Sequence, residues 1–206
     1  MAEAISLAKE LNDMAALGLA LYWAALLAHF EGNAVEVERL ASDLIELTTR
    51  QGFASWLPGG VVLRGWVRSA SGDTAEGISW IEGGIRDYQA TGAILRLPYF
   101  LALKAEALHF AGRTSEALEA ISEAETLAER SEGRWWYAEM HRLRGMFLAA
   151  IGVDEIGTET SFCEAIRIAK EQKSVSLEKR AEATYAEYRR QKASGSGGHG
   201  FRIPLW

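Results

Sequence analysis

Apolar residues recur along the chain at the three-to-four-residue spacing of a single helix face, and glycine interrupts the stripe at a fixed interval. Gly32, Gly72, Gly112 and Gly152 are each 40 residues apart. Aligned on them, the chain reads "LLAHFEGNAVEVERLASDLIEL", "GWVRSASGDTAEGISWIEGGI", "EALHFAGRTSEALEAISEAETL" and "MFLAAIGVDEIGTETSFCEAI". A helix-period stripe of about four to five turns runs up to each glycine and another leaves it. The pattern predicts ten helices, over residues 2–11, 13–31, 34–51, 54–71, 74–90, 94–111, 114–131, 134–151, 156–172 and 175–191.

The punctuation repeats as well. Asn33 with Glu36, and Asp73 with Glu76, have capping-box spacing, in which the first side chain accepts an orphan N–H and the glutamate reciprocates. Thr114 is the expected cap in the third repeat, and the fourth carries one extra residue after Gly152. Gly52 and Gly92 fit the left-handed end of a helix. Pro58 and Pro98, again 40 apart, fit a first helical turn, where the missing N–H would be unpaired anyway. Gly133 ends the third unit before "RWWYAEM", where Trp135 and Trp136 point about 100° apart, so at most one enters the core squarely.

Small and large residues alternate within each unit as in a tetratricopeptide helix pair, which the chain resembles. In the third unit Leu101, Lys104, Ala105 and Leu108 precede Gly112, and Ala117, Ile121 and Ala124 follow it. Gly65 and Gly77 hold the two close-approach places of the second unit, and Gly145 the first of them in the fourth. The fold expected is all-α: a right-handed α-α superhelix of tetratricopeptide-like pairs, with a period near 40 instead of the usual 34 or so. Residues 1–192 read as one helical-repeat domain, and 193–206 as a Gly/Ser tether with an apolar tail. The opening "AEAISLAKEL" looks like the second helix of a unit whose first helix is missing, as if the chain were cut from something longer.

Composition narrows the function. Hydrophobic residues make up 49% and charged ones 24%, with three prolines, the balance of a folded helical protein. A net charge of −6 argues against a general nucleic-acid binder. The single cysteine, Cys163, excludes an internal disulfide and is expected to be a small buried apolar group. No secretory signal opens the chain, and the uncharged stretch 14–30 falls in register with the repeats, so it reads as a packed helix and not a membrane span. A cytoplasmic location is expected. From Arg167 to Lys192 there are eight Lys/Arg against four Glu, read as a solvated outer face. Phe201, Ile203, Leu205 and Trp206 of "FRIPLW" are expected either to tuck back on the last helix or to bind a partner.

Three strings carry a closer resemblance: "GRTSEALEAISEAETLAERSEGRWWYAEMHRLRG", "SFCEAIRIAKEQKSVSLEKRA" and "GFRIPLW". They resemble the C-terminal repeat region of large bacterial signalling proteins that join a class III adenylate/guanylate cyclase domain, or a DNA-binding domain, to a P-loop ATPase module. The resemblance implies an assembly or sensing region. The chain has no G-x-x-x-x-G-K-[ST] and no cyclase stretch with metal-binding aspartates, so neither activity passes to any residue here.

Inner helices of such repeats line a concave face. Tyr22, Trp23, His29, Trp66, Tyr99, Glu106, His109, Arg142 and Met146 are the candidates to line it, with about half of the aromatics expected to be buried. His29 and His109 occupy the same repeat position, and four helix layers of 8–10 Å would separate them by roughly 35 Å, too far to share a metal. Glu106, Glu139 and Glu164 could be arranged as an acid/base pair, but the sequence shows no pocket that would shift their pKa values. The sequence therefore predicts no catalytic residue, metal or cofactor. It predicts an interaction or regulatory solenoid of a cyclase/ATPase-type system, acting on a protein partner or covalently linked domains. The alternative is an inducer sensor that holds a small metabolite in the groove.

Overall fold

The computed structural model describes residues 1–130 and 134–194, and among these every regular element is a helix. In chain order they are α1 (Ala2–Glu10), α2 (Met14–Phe30), α3 (Ala34–Gln51), α4 (Leu57–Ala70), α5 (Thr74–Ala90), α6 (Leu97–Phe110), α7 (Thr114–Arg130), α8 (Tyr137–Ile151), α9 (Glu155–Glu171) and α10 (Val175–Ala193). A single 3-10 turn, Arg134–Trp136, precedes α8. The ten predicted helices are all present. The expected endings at Gly133 and in the tail 195–206, including Phe201, Ile203, Leu205 and Trp206, lie outside the described residues.

Gly32, Gly72, Gly112 and Gly152 all take positive φ, between 69° and 100°, as do Gly52 and Gly92. A side chain would be strained there, which is why the turn recurs as glycine. Two helices start later than the apolar stripe suggests, α4 at Leu57 and α6 at Leu97. Pro58 and Pro98 sit in their first turns, and the residues after each left-handed glycine form a separate turn.

Capping is more varied than the repeat implies. Asn33 Oδ1 accepts the Glu36 N–H at 3.1 Å, but Glu36 pairs with Arg39 and does not return the bond. Asp73 does not cap α5; with Glu76 it binds the Arg68 guanidinium instead. Thr114 is the first residue of α7, not the residue before it. Cys163 is exposed, a correction to the expected burial: Phe162 occupies the core direction of α9 and its neighbour turns outward.

The helices gather into two compact units, one formed by Met1–Ala111 and one that begins at Gly112. In the first, α2 packs on α3, α3 on α4, α4 on α5 and α5 on α6, while α4 also touches α2 and α6. Gly65 and Gly77 make the tightest of these approaches: a Cβ on Gly65 would stand 2.7 Å from the Gly77 carbonyl oxygen. In the second unit α7 packs on α8, α8 on α9, and α10 on both α8 and α9. There a Cβ on Gly145 would meet the Phe162 ring at 2.8 Å. Trp136 is buried and Trp135 is 37% exposed, so one of the pair enters the core and its neighbour does not.

Candidate functional site

Seven of the nine candidate residues of the inner helices fall in the first unit, Trp23 among them at its α1–α2 edge, and their arrangement begins with helix phase. His29 lies three residues before Gly32, and Trp66 and Glu106 each lie six before their own glycine. These places put the side chains on the faces that α2, α4 and α6 turn toward one another. The Trp66 Nε1–H donates to Glu106 Oε2 at 2.8 Å, joining the same position of successive 40-residue repeats within the first unit. His29 Nε2 stands 3.5 Å from the same carboxylate oxygen. Its Nδ1 is 3.1 Å from the Tyr99 hydroxyl. The imidazole also stands edge-on to Trp66, with ring centroids 4.6 Å apart.

Three inner helices thus converge on one polar-aromatic cluster. The stacked-layer separation does not hold here: His29 of α2 touches Tyr99 and Glu106 of α6 directly, and α4 packs against both helices. His29, Trp66, Tyr99 and Glu106 are all fully buried. Glu106 Oε1 is buried and accepts no hydrogen bond from the described residues. A tyrosine hydroxyl, an imidazole and a carboxylate in sequence can carry a proton or hold a hydrogen-bonding ligand group. His109, one turn after Glu106, is half-buried; burial lowers its pKa, and the nearby Glu106 charge partly offsets this.

The remaining candidates separate. Tyr22 is buried on another face, where the Arg96 guanidinium lies over its ring at 4.4 Å and over Trp56 at 4.0 Å. Burial raises the Tyr22 pKa well above the ordinary phenol value. Trp23 is 42% exposed and turns toward the α1–α2 edge. Burial therefore exceeds the expected half: of the nine, only Trp23 and His109 reach the surface appreciably.

Arg142 and Met146 belong to the second unit and form a cluster that the sequence reading did not assemble. Arg142 donates Nε–H to Glu139 Oε2 at 2.9 Å and Nη1–H to Thr184 Oγ1 at 3.3 Å, and both members of the Arg142–Glu139 pair are 1% exposed. Arg180 reaches the same glutamate at 3.3 Å. The network ties α8 to α10 and occupies Glu139 with two guanidiniums, which removes it as a free acid or base. Glu164 is surface-paired with Arg167, and this hydrogen bond holds its carboxyl below the usual range. Only the Glu139–Arg142 spacing of three was a signal available in the sequence.

Among the described residues no group of three His, Cys, Asp or Glu side chains is placed to hold a metal, and no helix is long and apolar enough to cross a membrane. No family model matches the chain. It is similar to an uncharacterized protein of Rhizobium meliloti (strain 1021), at 24% identity over 163 residues. The match covers 79% of this chain and 16% of that relative, so the chain corresponds to about a sixth of its length.

Proposed function

We propose that the chain is a non-catalytic, tetratricopeptide-like interaction or regulatory module of a bacterial cyclase/ATPase-type signalling system, acting in the cytoplasm. The observation that carries this reading is the buried cluster of His29, Trp66, Tyr99 and Glu106, which links three successive inner helices. An apolar core would pack these helices at lower cost, since burying a carboxylate and an imidazole demands full hydrogen bonding. Such a cluster is sensitive to small shifts of any one helix, which suits a module that reports occupancy by a partner or by linked domains. The resemblance to repeat regions of cyclase and ATPase proteins supports the same assignment, as does the much greater length of the Rhizobium relative.

The second reading, an inducer sensor for a small metabolite, is favoured by Glu106 Oε1, a buried acceptor that a ligand N–H or O–H would satisfy. One experiment separates the two. The immobilised chain is exposed to a lysate of the source cells and the captured polypeptides are sequenced, while the free chain is screened with metabolites by thermal shift. Recovery of a protein with a cyclase or P-loop ATPase domain, reduced for Tyr99→Phe, supports the module. A saturable metabolite shift that Glu106→Gln abolishes, with no such protein recovered, replaces it with the sensor.

A further inference from the structure

The α1–α2 edge of the first unit holds a groove of about 360 Å³. It is lined by four alanines, Ala4, Ala8, Ala16 and Ala20, of which Ala8 and Ala20 are buried, and by Leu7, Leu11 and Leu19. These leucines are 55%, 68% and 42% exposed, and Leu27 extends the stripe of α2 at 43%. Exposed leucines interleaved with alanines make a helix-packing surface, because small residues let a second helix axis come within 8–10 Å. The rest of the unit shows what such a face receives. The 18-residue α3 packs along α4, whereas α1 has nine residues, about 14 Å against about 25 Å for α2. The apolar stripe of α2 therefore runs on past α1.

The charge around this groove is acidic on balance. Residues 1–33 carry Glu3, Glu10, Asp13 and Glu31 against Lys9 and the Met1 α-ammonium, so acids outnumber cations four to two. Glu3 and Glu10 fall about 40° and 60° from Leu7 around α1, while Lys9 falls about 160° from both Leu7 and Leu11, on the far side. Asp13 lines the groove at one end and Glu31 follows α2 at the other. A second copy of the same face, or an anionic bilayer, would set negative charge against negative charge.

We infer that this groove docks an amphipathic helix of a partner polypeptide whose leucine/alanine stripe is flanked by Lys or Arg. The inference uses no residue of the buried cluster and stands or falls separately from the proposed function. Two synthetic helical peptides with one leucine/alanine stripe, flanked by lysines in one and glutamates in the other, test it on the full chain by calorimetry. The expected result is saturable one-to-one binding of the lysine peptide, at least tenfold tighter than the glutamate peptide and several-fold weaker in 0.5 M salt. Leu11→Asp with Leu19→Asp, both exposed positions, abolishes binding while circular dichroism stays unchanged. Glu3→Lys with Glu10→Lys narrows or inverts the preference between the peptides. Equal binding of both peptides overturns the inference, as does binding that survives the aspartate pair. So does self-association in light scattering, or partition onto phosphatidylserine vesicles, if the aspartate pair abolishes it.

Discussion

The Tyr99 hydroxyl and His29 Nδ1 lie 3.1 Å apart although 70 residues separate them in the chain. The contact joins α2 to α6 across α4, so the first unit is closed by polar side chains as well as by apolar packing. Tyr99→Phe removes the hydroxyl at nearly constant volume. It is expected to cost on the order of 1–2 kcal/mol of unfolding free energy, read from urea denaturation with an unchanged m-value. A cost near zero would mean that the contact contributes nothing net.

Trp66 and Glu106 form the second strand of this closure. Trp66→Phe and Glu106→Gln, alone and together, make a double-mutant cycle. The expected coupling is roughly 0.5–3 kcal/mol, since donor and acceptor are buried together and belong to one network. Additive losses would show that the bond is not a working tie between α4 and α6. Replacing Trp66 and Tyr99 by alanine is a poor test of a binding surface, because both are fully buried and their loss opens a cavity.

Two glycines of adjoining helices distinguish packing from propensity. Helix propensity alone favours alanine over glycine by about 1 kcal/mol. At Gly83, where the nearest atom to a new methyl is an Arg86 nitrogen at 3.9 Å, Gly83→Ala should stabilise by up to about that amount. At Gly65 the methyl would meet the Gly77 carbonyl oxygen at 2.7 Å and Ile81 at 2.9 Å, so Gly65→Ala should destabilise by about 1–3 kcal/mol. Opposite signs in thermal melts are the expected outcome; the same sign at both would mean the α4–α5 approach relaxes freely.

Stability should also follow two histidines. Burial lowers the pKa of His109 and of His141, in each case against the attraction of a nearby glutamate. A histidine with a lowered folded-state pKa binds more protons when unfolded. Its stabilisation is complete above the unfolded value of about 6.5 and is lost as pH falls from there toward the folded pKa. Unfolding free energy should therefore rise between about pH 5 and pH 7, and His109→Asn with His141→Asn should flatten the rise. A slope unchanged in the double variant would place its origin in other groups.

In the second unit, Arg142→Met leaves Glu139 buried and facing Arg180 at 3.3 Å. The loss is expected to reach about 3 kcal/mol by chemical denaturation, reduced by the ion pair that Arg180 keeps with Glu139. An Arg142→Met protein of wild-type stability would show that the pair offsets only its own desolvation.

The sequence by itself determined the local structure. Apolar period, glycines at 40-residue steps, Pro58 and Pro98 fixed ten helices and their turns, because those signals act over a few residues of backbone. It also marked Gly65, Gly77 and Gly145 as places of close approach, since only a missing Cβ allows them. What it could not determine was which inner-helix side chains meet. His29 and Glu106 read as separate groove candidates because linear stacking of layers would keep α2 and α6 apart. Only the convergence of three helices brings imidazole, phenol, indole and carboxylate within hydrogen-bonding reach. The Arg142–Thr184 contact, 42 residues apart, and the outward turn of Cys163 were decided at the same level. Helix phase sets a side chain's direction, but the packing of neighbouring helices sets whether that direction ends in a partner or in solvent.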